Sequence, residues 1–205
     1  MAVGTAFRAV HERALSPVEV ALFERRRAGL LAKATGVVVD LGGGTGAHFA
    51  SYRPGAVERV LVAGVDPAAR TVVARRAGQA TVPVELVDWP LGELEGADTV
   101  VAQLVLCTVP RLPALLAQVH RMLGRDGRLL FLEHVPSGLR TFRSLAAPWW
   151  RGVSGGCDLE RDVPAAVRAA GFTILDLERF TVPTLNLPLR TCATGVARSR
   201  RDTPR

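Results

Sequence analysis

Apolar positions in this chain cluster into short runs without polar alternation, spaced by segments of helical period. Residues 37–39 are three valines, 59–66 read RVLVAGVD, 83–87 PVELV, 98–107 DTVVAQLVLC and 127–134 GRLLFLEH. Runs rich in β-branched residues and lacking alternation suit strands covered on both faces, as in a parallel sheet. Before the first run, residues 17–34 place Val18, Ala21, Leu22, Leu30 and Leu31 on one helical face, and Ser16, Pro17 and Glu19 form a capping box with proline at the first helical position. Further helices are predicted from the glycine loop at 42–46, from Asp66 and Pro67 up to Gly78, from Leu112 to Leu123 before Gly124, and from Asp162 through Ala170 before Gly171. Strands alternating with helices predict an α/β fold with a doubly wound sheet. The chain's end departs from that rule. FTILDLERF and RTCATGVAR lie only a loop apart, and that loop, VPTLNLPL, is too short for a crossover helix, so the last two strands are predicted to be antiparallel.

Length and composition narrow the picture. With 205 residues and 48% hydrophobic content, one well-cored domain is expected over residues 1–198, with N-terminal helices and a disordered basic tail at 199–205. No apolar stretch approaches a membrane span, and Met1 to Arg13 lacks the apolar centre of a secretory signal, so a cytoplasmic protein without membrane association is expected. Cys107, Cys157 and Cys192 lie far apart with no CxxC pair, and neither a zinc site nor a disulfide framework is expected from them. The net charge of +7 invites a nucleic-acid reading. Arg198, Arg200, Arg201 and Arg205 against Asp202 supply +3 of it from the tail, leaving +4. Arg25, Arg26 and Arg27 read as a solvated helix face, and few aromatics interleave with the arginines, so stacking on bases has little support.

The chemistry concentrates in VVVDLGGGTG at residues 37–46. Gly42, Gly44 and Gly46 let the backbone turn sharply and approach a ligand closely. Gly42, Gly44 and Ala47 also satisfy the dinucleotide fingerprint, but Asp40 at the loop entrance would repel a pyrophosphate, whereas S-adenosylmethionine offers a cationic sulfonium and ammonium. Asp66 ends the next apolar run about 20 residues on, where a carboxylate can accept from ribose hydroxyls; followed by Pro67, it is equally a good helix start. S-adenosylmethionine is the expected cofactor.

Nearly the whole chain resembles the class I methyltransferases of the alkyl-thiol methyltransferase type, near the ubiquinone and menaquinone biosynthesis methyltransferases. The segments that carry the resemblance are RRRAGLLAKATGVVVDLGGGTGAHFASY, LVLCTV, VHRMLGRDGRLLFLEHV, PWWRGVSGGCDLERD and AAGF, with LVLCTV, EHV and GCDLER the most selective. The resemblance implies a seven-stranded Rossmann-like sheet, with the antiparallel last strand inserted beside the fifth. It also implies cofactor contacts at Asp40, Gly42, Gly44, Gly46 and Asp66. Asp88 or Trp89 would border the adenine, although VDWPLGEL departs from the family's usual small residue and glutamate there.

Methyl transfer from a sulfonium needs mainly positioning of the acceptor and removal of its proton. Ligands of doubly wound folds lie outside the carboxyl ends of the strands. That rule selects Cys107 after the fourth strand and His134 after the fifth as the catalytic candidates, with His134 a possible general base and no metal. His48 is read as positional, and His11 and His120 as surface residues. Residues 148–162, with Trp149, Trp150, Cys157 and three glycines, have the composition of a lid over an apolar acceptor. The expected function is methylation of a small, fairly apolar thiol or hydroxyl; the alternatives are a cofactor-binding protein with non-transfer chemistry and an RNA methyltransferase.

Overall fold

The computed structural model describes residues 17–89, 94–136, 140–153, 155–182 and 191–199. Helix α1 (Pro17–Leu31) leads into β1 (Gly36–Leu41), a 3-10 turn (Ala47–Ser51), β2 (Val57–Ala63), a second 3-10 turn (Pro67–Ala69) and α2 (Arg70–Ala77). There follow β3 (Val84–Val87), β4 (Ala97–Gln103), α3 (Leu112–Met122), β5 (Leu123–His134), α4 (Arg140–Val153), α5 (Val163–Ala169), β6 (Phe172–Thr181) and β7 (Thr191–Ser199). All seven strands form one sheet in the order β3-β2-β1-β4-β5-β7-β6. β7 runs antiparallel between β5 and β6, as the short final connection requires.

The unalternating strands are explained by burial on both faces. Val38 packs into one core with Phe23, Leu30 and Leu31 of α1 and Val73 of α2, while Val39 packs into the other with Leu115, Leu116 and Val119 of α3. On β5, Leu129 and Phe131 join the second core and Leu130 and Leu132 the first. Both faces are covered by apolar cores, so period-two alternation is lost.

Several elements differ from the sequence expectation. Helix α1 stops at Leu31 instead of 34, and its capping residue Ser16 lies outside the described residues. The expected helix after the glycine loop is only the short 3-10 turn. β4 ends at Gln103, four residues before Cys107, because Leu104 takes φ 54° and turns the chain out of the sheet. Arg26 pairs with Glu178 and lies 5.1 Å over the Phe180 ring, and Arg27 donates to Gln103 at 2.9 Å, so two of the three α1 arginines dock the helix on the sheet. His120 is half-buried, stacked beside Phe172 and bonded to Ser199 Oγ at 2.9 Å. Ser199 is accordingly the buried last residue of β7 and not the first of a tail; residues 200–205 lie outside the described residues. Among the described residues, no helix is long and apolar enough to cross a membrane.

Candidate active site

The carboxyl end of β1 builds the floor of a cavity of about 310 Å³, lined by Asp40, Leu41, Gly43, Gly44, Thr45, Ala47 and His48, with Arg76, Gln103 and Leu104 beside them. Helix α1 closes one side with Val20, Phe23, Glu24 and Arg27. Backbone conformation dictates the glycines. Gly43 has φ 58°, and a Cβ there would stand 2.5 Å from Val62 Cγ1. Gly46 has φ 77°, and its Cβ would stand 2.8 Å from the Phe49 ring. Arg76 of α2, itself in the cavity lining, holds the loop by donating to the Thr45 carbonyl at 2.8 Å. Gly43 was not among the glycines singled out from sequence, yet it lines the cavity; Gly42 turns toward Val105, in the core.

Asp40 is almost wholly buried and held by two residues of the following turn. The Tyr52 hydroxyl donates to its Oδ2 at 2.8 Å, and His48 Nε2 lies 2.6 Å from the same oxygen. A carboxylate only accepts, so Nε2 carries the hydrogen. Burial first, and then the Asp40 charge, push the Tyr52 phenol well above its usual value, which keeps it a donor. His48 is therefore a positioning residue for Asp40. The spacing D-x7-H-x3-Y was visible in the sequence, but without the turn's geometry nothing indicated convergence.

The remaining cofactor candidates stand outside this cavity's lining. Asp66 Oδ1 accepts from Ala68 N at 2.9 Å and caps the turn that begins α2. Asp88 is exposed, with Arg70 at 3.5 Å, and Trp89 is half-buried against the core on the α3 face.

The turn after β4 is clamped from two sides. Glu133, fully buried, accepts from the backbone N–H groups of Val105 and Leu106 at 2.9 Å and of Cys107 at 3.0 Å. Burial pushes the Glu133 carboxyl up, against the opposing effect of these three bonds. Arg161 donates to the carbonyls of Leu106 and Val109 at 2.9 and 2.6 Å. Segments LVLCTV, EHV and GCDLER thus meet in one polar clamp. The segment expected to be a lid is pinned here: Asp158 N donates to the Cys107 carbonyl at 2.9 Å, and a Cβ on Gly156 would stand 2.9 Å from the Thr108 carbonyl. Trp150 and Cys157 are buried, while Trp149 is exposed.

Both catalytic candidates from sequence lie below this surface. Cys107 is fully buried, and His134 is 6% exposed with Nδ1 3.9 Å from Cys107 Sγ and 3.7 Å from Cys157 Sγ. Neither lines the cavity. The contact with Cys157, then burial, raise the Cys107 thiol, whereas the contact from Cys107 brings Cys157 down to about 5 despite its burial. The fold has thus brought together Cys107, a catalytic candidate from sequence, and Cys157 of the expected lid segment, around one imidazole.

A glycine loop over a buried acid, at the carboxyl edge of a 3-2-1-4-5-7-6 sheet, is the arrangement of a class I methyltransferase domain. The chain belongs to the family described as Methyltransferase domain, which it matches over residues 12–177. Domains of this class use S-adenosylmethionine. The chain is similar to the thiol S-methyltransferase TMT1B of Homo sapiens, 33% identical over 163 residues, covering 74% of this chain and 66% of that protein. It therefore spans just under two thirds of that relative's length. Its fold is shared with the N-methyltransferase NodS from Bradyrhizobium japonicum WM9, solved with S-adenosyl-L-homocysteine, at TM-score 0.65 and 15% identity over 86% of this chain and 87% of that one. The [4+2]-cyclase SpnF shares it too, at TM-score 0.67 and 18% identity over 85% and 80% of the two chains. Fold by itself therefore does not fix the chemistry.

Proposed function

We propose that the protein transfers the methyl group of S-adenosylmethionine to the sulfur of a small, fairly apolar thiol. The observation that carries this reading is the buried Asp40, fixed by His48 and Tyr52 at the floor of the glycine-loop cavity. The cavity's lining suits the cofactor: Asp40 offers negative charge to an ammonium and a sulfonium, and the ion-paired Glu24 and Arg27, together with Arg76, border the same space. The thiol is favoured as acceptor by the similarity to a thiol S-methyltransferase.

The bound cofactor supplies an activated methyl carbon, so the chain has to bind, orient and exclude water. Asp40 and the glycine loop hold the donor in register. Glu133 and Arg161 fix the turn at 105–109, next to the cavity residues Gln103 and Leu104, and so keep the acceptor's side of the rim rigid. A thiol with pKa near 8.5 supplies some thiolate unaided at neutral pH. Proton removal is therefore assigned to the acceptor's own ionisation, and His134, turned toward two cysteines, to a different task. A small-molecule acceptor, no nucleic acid and a cytoplasmic setting complete the proposal.

Incubating the protein with S-adenosylmethionine and a panel of thiols, phenols and RNA tests it by mass spectrometry of the products. Methyl thioethers accumulating with S-adenosylhomocysteine support the reading. Methylation confined to oxygen acceptors or RNA overturns the acceptor assignment.

A further inference from the structure

Three soft or borderline metal ligands meet beneath the rim, one from each of the segments LVLCTV, EHV and GCDLER. Cys107 Sγ, His134 Nδ1 and Cys157 Sγ all lie within 4.8 Å of one another, and all three residues are buried. We propose that they form a binding site for a soft divalent metal ion, with zinc the ion their geometry matches.

Zn–S bonds of about 2.3 Å and Zn–N bonds of about 2.0–2.1 Å at tetrahedral angles place sulfur and nitrogen about 3.6 Å apart and two sulfurs about 3.8 Å apart. The two sulfur–nitrogen separations here are 3.9 and 3.7 Å, so those two edges match to within a few tenths of an ångström, and the two sulfurs lie within 4.8 Å of each other. Those separations suit weak sulfur hydrogen bonds in the metal-free chain and equally suit edges of a coordination tetrahedron. Thiolate and imidazole ligands also select zinc-like ions over the oxygen-seeking magnesium and calcium.

The ligands are held from outside. The backbone N–H of Cys107 donates to Glu133 and its carbonyl accepts from Asp158 N, which fixes the peptide groups on both sides of that side chain. Arg161 locks the same turn to the segment that carries Cys157. Binding forms two Zn–S bonds and one Zn–N bond, releases to solvent any proton still carried by either sulfur and moves no electrons. Three protein ligands leave the fourth position to a water or another small ligand. The ion would bind the turn after β4 and the end of β5 to the segment 155–162. The inference does not depend on which acceptor is methylated.

The test is titration of the full, reduced, chelator-treated chain with Co²⁺, read in the ultraviolet and visible. The expected result is one ion per chain with thiolate-to-cobalt charge-transfer bands and tetrahedral d–d bands, displaced by one equivalent of Zn²⁺. Cys107→Ser and Cys157→Ser should each weaken binding by more than the roughly 10- to 100-fold that loss of a supporting group costs. Cys192→Ser should weaken it far less, because Cys192, although paired in register with His134, is not one of the three residues whose ligand atoms meet there. The unsubstituted chain decides the matter even if a variant fails to fold. No thiolate band, bands that persist in the doubly substituted Cys107→Ser/Cys157→Ser chain, or a Cys107–Cys157 disulfide forming in place of metal uptake would overturn the proposal. Binding of S-adenosylhomocysteine measured on the same sample keeps this outcome separate from that of the methyl-transfer reading.

Discussion

His48 Nε2 lies 2.6 Å from Asp40 Oδ2, so the acid ending β1 already has a buried imidazole partner before any cofactor is considered. Tyr52 reaches the same oxygen from one turn further on. Asp40 is thereby presented to the cavity as a fixed charge, a preorganised partner for a cationic ligand.

Tyr52→Phe removes one donor from that buried carboxylate. It should cost about 1.5–3 kcal/mol of stability, the range for a hydrogen bond to a charged group, and weaken S-adenosylhomocysteine binding. Denaturant unfolding and calorimetric titration check the two effects. Unchanged values for both would mean that the bond contributes nothing to holding Asp40.

Glu133 leads to a pH prediction. Burial raises its pKa in the folded chain above the ordinary 4.5, so between those two values the folded protein holds more protons than the unfolded chain. Stability from this group therefore falls as pH rises through that window. Glu133→Gln should abolish this slope and cost about 1–3 kcal/mol, because an amide presents one acceptor oxygen to three N–H groups. Unfolding free energies from pH 4 upward in both proteins provide the comparison.

Gly43→Ala places a Cβ where φ is 58° and Val62 Cγ1 is 2.5 Å away. Strain of about 1–2 kcal/mol from the left-handed backbone, with the clash added, should distort the loop and lower cofactor affinity at least tenfold while the sheet still folds. Circular dichroism with titration of S-adenosylhomocysteine separates the two.

Proton removal by the acceptor itself makes turnover follow acceptor ionisation. Across a series of thiols, the rate should rise with pH up to each thiol's own pKa and then level off. His134→Ala should leave the position of that inflection unchanged. An inflection common to all thiols, lost on that substitution, would restore His134 as the base.

The sheet was legible because both-face burial leaves an uninterrupted apolar signal, as in the three valines of β1, and because the short connection before β7 excludes a crossover. Asp40 and the glycine loop were legible because a positive φ and a buried acid constrain residue type. The end of β4 was not, since what turns the chain at Leu104 is a set of amides accepted by Glu133 from 26 to 28 residues away. The roles of Arg26 and Arg27 were hidden for a similar reason: their partners Glu178 and Gln103 are 152 and 76 residues distant. Cys107, His134 and Cys157 likewise have no local spacing, and only the folding of three segments onto one rim brings them together.

The most direct measurement is single-turnover transfer from S-adenosylmethionine labelled in its methyl group, with an alkyl thiol in excess. The expected result is label on the thiol sulfur in step with S-adenosylhomocysteine, with both lowered at least tenfold in folded Gly43→Ala at S-adenosylmethionine below saturation. Tight binding of S-adenosylmethionine with no label reaching any thiol, or label transfer indifferent to Gly43→Ala, would contradict it.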